Sequence, residues 1–241
     1  MRDLPRRGPP SPAWTRPIAD RLTPAIRVLV IASTVLFLFY IFVPQAQSLF
    51  LQHLALGPNV FSGELWQPVT AVFVHAGPQA VISFIFNIIG LWWLGASVER
   101  AVGTRGFLQI FFISAVLANV TIAVVARGLG AGFFSAGFSL GVLALLVAFG
   151  RQYGSTQAQI LGGLFLQARH LAYIFVAWAL IADLVRGDLS QVAGDVVAVG
   201  LGFVLASGGL GPLWDQIRLR RLRRRYRVME GGRSDKRQYM N

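Results

Sequence analysis

The sequence has no cysteine and only one lysine, Lys236, and charged residues make up just 13% of its 241 positions. Without cysteine the chain cannot form a disulfide framework, a catalytic thiolate or a thiolate zinc site. Soluble domains carry about 25% charged residues, so a chain with this little charge has too little polar surface to face water. Hydrophobic residues account for 55% of the chain. We therefore expect a protein that lies in the lipid bilayer.

Histidine is also scarce, and the three residues of this type are His53, His75 and His170. Any two of them would need a third ligand to hold a metal ion, and no pair has the HxxxH spacing that places two histidines on one helical face. The sequence therefore predicts no metal site and no other cofactor.

Six apolar segments alternate with polar or glycine-rich connections. The segments cover residues 26–43, 80–97, 107–125, 133–149, 171–185 and 192–210. Most of them approach the roughly 20 residues that an α-helix needs to cross a bilayer. Between the first two, residues 45–79 mix apolar aromatic side chains with glycine and proline. This mixture predicts short helices at the membrane interface, although an ordinary extracytoplasmic loop can have the same composition. The pattern predicts an all-α polytopic membrane protein with six transmembrane helices and an interfacial loop between helices 1 and 2.

Basic residues outnumber acidic residues by 22 to 10 and concentrate at the two ends of the chain. Residues 1–22 are rich in proline and arginine, which favours a flexible basic arm over a transit peptide because the prolines interrupt any amphipathic helix. The first apolar segment is long for the core of a cleaved signal peptide, so we expect it to be retained. Residues 213–241 form a basic tail, which leaves residues 23–212 as the membrane domain.

The distribution of arginine also predicts the topology, because lysine and arginine near membrane segments stay on the cytoplasmic side. With both termini in the cytoplasm, the inner connections hold four arginines and the outer connections hold two. We therefore expect a multi-pass protein of the bacterial plasma membrane with both termini in the cytoplasm.

The basic tail contains a dense run of arginines. Its central members are Arg220, Arg221, Arg223, Arg224 and Arg225. Such a run favours binding to anionic lipid headgroups, and an acidic partner such as ribosomal RNA is the alternative. A single aromatic residue, Tyr226, is too few to stack bases, so no specific binding to DNA is expected.

The sixth segment carries a small residue at every fourth position. These residues are Gly194, Ala198, Gly202 and Ala206, and such a stripe allows a neighbouring helix to pack closely. Asp195 is the only ionisable side chain in this segment. Other segments contain polar residues that need partners in lipid. Asn87 and Ser83 lie one helical turn apart in the second segment, and Ser135 and Ser139 have the same spacing in the fourth.

The order of several short motifs resembles the rhomboid family of intramembrane serine proteases and their inactive relatives. The motifs are Glu64-Leu65-Trp66-Gln67-Pro68-Val69-Thr70, Phe73-Val74-His75, Gly137-Phe138-Ser139-Leu140-Gly141 and Gly194-Asp195, with Asn87, Gly95, Glu99 and Gly103 between the second and third. The likeness covers residues 64–227. It implies the six-helix rhomboid fold, a nucleophile position at Ser139 and an oxyanion-binding position at Asn87.

The resemblance also implies that several catalytic groups are missing. Active rhomboids use a histidine of the sixth helix as the base for the serine, and that position falls on Ala198 or Val199, with no histidine after His170. The family's histidine one turn before the helix-2 asparagine is Ser83 here, and the glycine after the nucleophile is Leu140. A serine hydroxyl is a poor nucleophile unless a base takes its proton. These departures favour a catalytically inactive, rhomboid-like pseudoprotease.

Two functions from different classes remain. The first is a non-catalytic module that binds transmembrane segments of client or partner proteins, or that serves as a subunit of a membrane complex. The second is an active intramembrane serine endopeptidase in which Asp195 or a displaced His75 replaces the missing base. A transporter or channel is a weaker alternative, because the segments carry only two acidic residues, Asp183 and Asp195.

Overall fold

The structure is a computed structural model that describes residues 23–77, 80–160 and 164–208. The predicted basic arm (residues 1–22), the basic tail (213–241) with its arginine run, and the last two residues of the sixth predicted segment lie outside these ranges. The described α-helices are α1 (Pro24–Phe42), α2 (Pro44–Leu49), α3 (Gln67–Thr70), α4 (Ala80–Gly90), α5 (Ala96–Leu108), α6 (Ser114–Leu129), α7 (Ser139–Gln152), α8 (Ala168–Val185) and α9 (Leu189–Ala206).

The helical run Ala80–Leu129 contains two membrane helices rather than one. Two π-helical turns, Leu91–Gly95 and Gln109–Ile113, join α4 to α5 and α5 to α6. Within α5 the backbone leaves the helical region at Gly103, where φ is +79° and ψ is 163°. The Phe107 ring then comes within 3.2 Å of where a Cβ on Gly95 would stand. A continuous helix would separate these residues by about 18 Å along its axis, so the chain must reverse direction at Gly103.

The described helices confirm the predicted all-α polytopic fold. Four helical stretches are long and apolar enough to cross a membrane: Pro24–Phe42, Ala80–Leu129, Ala168–Val185 and Leu189–Ala206. Ser139–Gln152 is a shorter apolar helix. Because Ala80–Leu129 reverses at Gly103, the described residues contain six apolar helices in the order that the sequence predicted.

The two ends of this bundle have different structures. At one end, here called the hairpin end, strand β1 (Gln157–Ile160) pairs antiparallel with β2 (Leu164–Gln167) between α7 and α8. The sequence analysis assigned no regular structure to this connection. The opposite end, here called the serine end, holds the start of α7, the start of α4 and the turn between α8 and α9.

The segment between α1 and α4 contains short helices, the first of the two alternatives that the sequence left open. It contains α2, a π-helical turn, the 3-10 helix Pro58–Ser62 and α3. The fully buried side chain of Gln67 holds these pieces together. Its Nε2 donates to the Gln52 carbonyl at 3.0 Å and to Glu64 Oε2 at 2.7 Å, and its Oε1 accepts from the Gly57 N–H at 2.9 Å. Because all its polar atoms have partners, a buried amide is compatible with this position.

A buried carboxylate fixes the hairpin end of α1. Glu99 is 4% exposed and accepts hydrogen bonds from the hydroxyl groups of Thr23 and Thr104. Thr23 immediately precedes α1, and Thr104 follows the reversal at Gly103. The carboxylate therefore connects α1 to the turn between the second and third membrane helices.

Candidate functional site

Ser139 is the first residue of α7, and the backbone before it brings three polar positions together. Gly137 has φ of +102°, a left-handed conformation that L side chains rarely adopt. A Cβ on Gly137 would stand 3.1 Å from His75 Nε2 and 3.3 Å from Asn87 Nδ2. Glycine is therefore required here both by the dihedral angle and by the space. Its absent side chain allows the Gly137-Phe138-Ser139 turn to lie directly beside His75 and Asn87.

The segment before Ser139 is extended rather than helical. Leu56 and Ser135 exchange two backbone hydrogen bonds, from Leu56 N–H to the Ser135 carbonyl at 2.9 Å and from Ser135 N–H to the Leu56 carbonyl at 3.1 Å. The predicted helix start at residue 133 was therefore wrong, and so was the common helical face for Ser135 and Ser139. Pairing with the loop satisfies the backbone groups of residue 135 without a helix.

Ser135 contributes to a different cluster from Ser139. Its hydroxyl donates to Asn119 Oδ1 at 3.0 Å, and Asn119 Nδ2 donates to the Pro68 carbonyl at 3.0 Å. Asn119 is 1% exposed. One buried amide on α6 therefore holds both the loop and the extended segment. The sequence analysis did not identify this connection, because the three residues lie far apart in the chain.

Asn87 makes two side-chain hydrogen bonds on the face of α4 that points toward Gly137. Its Nδ2 donates to Ser83 Oγ at 3.2 Å and to His75 Nε2 at 3.3 Å. Because an amide nitrogen can only donate, Nε2 of His75 accepts, and the ring proton of neutral His75 lies on Nδ1. Ser83, Asn87 and His75 thus form one short polar chain.

Aromatic rings surround His75 on its other sides. The rings of Phe84 and Phe138 meet the imidazole at nearly perpendicular angles, with ring centroids 5.2 Å and 4.7 Å away. Within the described residues Nδ1 has no hydrogen bond of standard geometry, although the Phe73 backbone lies close to the imidazole. Burial lowers the pKa of His75 to about 4, and the Phe73 backbone offsets this only in part. His75 is therefore neutral at physiological pH.

Acid should destabilise the protein through His75, which lies outside the membrane-crossing helices. Between pH 6.5 and about 4 the unfolded chain binds a proton that the folded chain does not, so stability falls as the pH falls through this window. The shift corresponds to about 3 kcal/mol when complete. We expect thermal midpoints measured in detergent from pH 7 to pH 4 to fall less steeply in His75→Gln than in the wild type. The exposed histidine variant His53→Gln is the control, and equal slopes for His75→Gln and the wild type would contradict the prediction.

Ser139 has neither of the bases that the sequence suggested. Its side chain is exposed, and its hydroxyl makes no hydrogen bond to His75, Asp195 or any other residue in the described ranges. The following residue, Leu140, is 2% exposed and fills the core behind the first turn of α7. A serine hydroxyl in this environment has its ordinary, weak nucleophilicity.

Asp195 is directed toward α8 instead of toward Ser139. It is 4% exposed and lies against Asp183 of α8. Asp183 accepts a hydrogen bond from Arg186 Nη1 at 2.7 Å. Asp195 therefore belongs to a polar cluster with Asp183 and Arg186 near the α8–α9 turn.

The small residues of α9 lie where the helix packs against α6 and α7. A Cβ on Gly194 would stand 2.6 Å from Ile122 Cγ1, and one on Gly202 would stand 2.6 Å from the Ala144 carbonyl oxygen. Ala198, between them on the same face, is fully buried. The Ala206 carbonyl accepts a hydrogen bond from Gln152 Nε2 at 3.1 Å.

The resemblance left Ala198 and Val199 open as the position of the missing base, and these contacts show which side of α9 each residue occupies. Gly202 contacts Ala144, and further along both helices Ala206 is hydrogen-bonded to Gln152. Helices α7 and α9 therefore run in the same direction. One turn back from the Gly202–Ala144 contact, α9 presents Ala198 at the level of Leu140, beside Ser139. Val199 instead lines a cavity with residues of α8 at the hairpin end.

Within the described residues, no group of three or more histidine, aspartate or glutamate side chains is arranged to hold a metal ion. The exposed His53 pairs with Glu64, with Nδ1 2.7 Å from Oε1, and takes no part in the cluster around Ser139. The described residues around Ser139 therefore offer hydrogen-bonding groups without an activated nucleophile.

Similar proteins support the relationship that the motifs suggested. A family model described as the Rhomboid domain matches residues 62–208. The chain is 28% identical over 132 residues to rhomboid-like protease 3 of Toxoplasma gondii, which covers 54% of this chain and 48% of that protein. It is 26% identical over 149 residues to rhomboid protease GlpG of Salmonella paratyphi A, which covers 60% of this chain and 50% of that protein. The chain thus spans about half the length of these relatives.

Proposed function

The chain belongs to the rhomboid family, and on this basis we propose that it is a non-catalytic membrane protein that binds transmembrane segments of other proteins. The observation that carries the proposal is the state of Ser139. Its hydroxyl has no hydrogen-bonded base among the described residues, and Ala198, the residue of α9 one turn before the Gly202–Ala144 contact, has no ionisable group. General-base activation typically contributes about 10²–10⁴-fold to such reactions, so a serine without it is a poor protease nucleophile.

The packing of α8 supports a binding role. Helix α8 packs on α7 and α9 but not closely along α4 within the described residues, which leaves a space between α4 and α8. Large apolar side chains are exposed on the two flanking helices, including Phe86 (71%) on α4 and Trp178 (67%) on α8. Ser139 is exposed at the start of α7, the helix that contacts both α4 and α8, and would add a polar group at the serine end of this space. A client helix with a polar residue could bury its apolar surface there and find a hydrogen-bond partner.

Localisation and further partners are part of the proposal. The apolar helices and the family membership make this a multi-pass membrane protein. We place it in a bacterial plasma membrane with both termini in the cytoplasm, where the arginine run of the tail would meet anionic lipid or an acidic partner. The excess of arginine in the connections assigned to the cytoplasm is the supporting observation.

The alternative is an active serine endopeptidase with an unusual base. Both relatives are described as proteases, and His75 lies within contact distance of Gly137, two residues before Ser139. A modest rearrangement of the Gly137 turn would be needed to bring Ser139 to the imidazole. Even after such a rearrangement His75 would be a weak base, because burial lowers the pKa of His75 to about 4.

A labelling experiment separates the two functions. Purified protein in detergent is treated with a fluorophosphonate probe and, separately, with a generic transmembrane substrate, and the wild type is compared with Ser139→Ala. We expect neither form to be labelled or to cleave the substrate above background. Labelling and cleavage that disappear in Ser139→Ala would establish the protease instead.

Client binding is tested by photo-crosslinking in native membranes. A photoreactive phenylalanine analogue at Phe86 or Trp178 should capture membrane proteins, and the capture should persist in the Ser139→Ala background. Val124, an exposed apolar position on α6, is the matched control. Equal capture from Val124 would mean that the captured proteins are chance neighbours in the membrane and that Phe86 and Trp178 do not line a binding site.

A further inference from the structure

A cavity of about 430 Å³ lies at the hairpin end, between the end of α7, the start of α8 and the second half of α9. Most of its lining residues belong to the last turns of α7 and the first turns of α8, whereas Ser139 begins α7. Two arginines line it: Arg151 in the last turn of α7 and Arg169 in the first turn of α8. Three valines form apolar walls, and these are Val147, Val176 and Val199. The cavity thus combines positive charge with an apolar interior.

Glycines create the room at this position. A Cβ on Gly150 would stand 2.7 Å from the Ala172 Cβ, so its absence allows α7 and α8 to approach each other. Both Gly150 and Gly154 line the cavity. The two arginines therefore extend from helix ends that are held close together.

Each guanidinium is oriented by a neighbour without being neutralised. Arg151 lies over the Phe203 ring, with its Cζ 4.7 Å from the ring centroid, and Arg169 donates from Nε to Gln167 Oε1 at 2.7 Å. Neither arginine forms an ion pair with a carboxylate among the described residues. Their terminal N–H groups are therefore available to an anion. Two like charges sharing one cavity favour a bound anion.

We propose that this cavity binds the headgroup of an anionic phospholipid, with Arg151 and Arg169 holding the phosphate. Both arginines sit at the ends of apolar helices, the level at which lipid phosphates lie. The valine walls and the exposed rings of Tyr173 and Phe203 offer apolar surface to the acyl chains. A free phosphate would use the arginines but not this apolar surface, so the combination favours a lipid. Arginine suits this role because its fork of donors binds phosphate in a bidentate manner.

The test uses the full chain in a neutral detergent, with its basic tail present in every variant. Thermal midpoints are measured against increasing dioctanoyl phosphatidylglycerol, dioctanoyl phosphatidylcholine and inorganic phosphate. A ligand that binds the folded state raises the midpoint as its concentration passes the dissociation constant. We expect phosphatidylglycerol to stabilise the wild type at concentrations at which the other two have little effect.

Charge-matched variants locate the site. Arg151→Gln with Arg169→Gln should weaken the response to phosphatidylglycerol by about tenfold or more, because charge-assisted hydrogen bonds are lost. Arg27→Gln with Arg105→Gln removes the same charge from exposed positions at the same end and should respond like the wild type. Arg151→Lys with Arg169→Lys keeps the charge and should fall between the wild type and the Arg151→Gln, Arg169→Gln variant.

Three results would overturn the proposal. Equal weakening in the two glutamine variants would mean that only net charge matters. An unchanged response in Arg151→Gln with Arg169→Gln would place lipid binding elsewhere. Stabilisation by inorganic phosphate equal to that by phosphatidylglycerol would identify a simple anion site instead of a lipid site.

Discussion

Replacing Ala198 with histidine is expected to make Ser139 reactive toward a fluorophosphonate probe. Ala198 lies on the face of α9 that packs against α7, one turn before the close contact between Gly202 and Ala144. An imidazole there would reach the level of Ser139 and could take its proton. A positioned general base typically contributes about 10²–10⁴-fold, and we expect a gain of roughly 100-fold in labelling rate, since Ser83 and Leu140 leave the oxyanion position altered.

The neighbouring position provides the control. Val199 lines the cavity at the hairpin end, on a different side of α9, so Val199→His should leave Ser139 unreactive. Ala198→His combined with Ser139→Ala should also remain unlabelled. Equal labelling of the two histidine variants, or labelling that survives the loss of Ser139, would contradict this geometry. Monodisperse elution of each variant verifies that the added ring is accommodated.

Replacing Gly202 with alanine should strongly destabilise the bundle. A Cβ there would stand 2.6 Å from the Ala144 carbonyl oxygen and 2.8 Å from the Ala144 Cα, and neither backbone atom can move without shifting α7. Overpacking of this kind costs about 1–3 kcal/mol. For a chain of this size, about 3 kcal/mol corresponds to a fall of roughly 6–12 °C in the thermal midpoint measured in detergent.

Gly200 is the matched control on the same helix. A Cβ at this position has no atom within 4 Å, and its residue is exposed. Because alanine forms helices more readily than glycine, Gly200→Ala should be neutral or slightly stabilising. If both alanine variants lowered the midpoint equally, loss of glycine itself, rather than contact with α7, would be responsible.

The sequence allowed the membrane helices to be predicted well because their signal is local. Long apolar runs identify spanning helices without knowledge of their neighbours. The start of α7 was predicted at residue 133 instead of Ser139, because the extended pairing of Ser135 with Leu56 depends on residues far apart in the chain. The β1–β2 hairpin was missed for a similar reason, since its pairing is visible only in the fold.

The candidate site was predictable in composition but not in arrangement. The motifs pointed to Ser139, Asn87 and Ser83 and to the absence of the family's histidine from the sixth segment. They did not place His75 against Asn87, because that contact joins the loop to α4 and is visible only in the fold. Asp195 lies within one helical turn of the position for the missing base, yet its side chain meets α8. A motif gives the position of a residue along a helix but not the side of the helix from which its side chain projects. That side determines why Asp195 contacts α8 and not Ser139.

The two hydrogen bonds of the Asn119 side chain restrict the route by which a partner helix could reach Ser139. Its amide is hydrogen-bonded to both the Pro68 carbonyl and the Ser135 hydroxyl. The loop, α6 and the extended segment before Ser139 are therefore held together. Lifting the loop alone would break buried hydrogen bonds on both sides of that amide. Among the described residues, α8 does not pack closely against α4. Access to Ser139 from the bilayer should therefore come through the space between α4 and α8, while the loop stays in place.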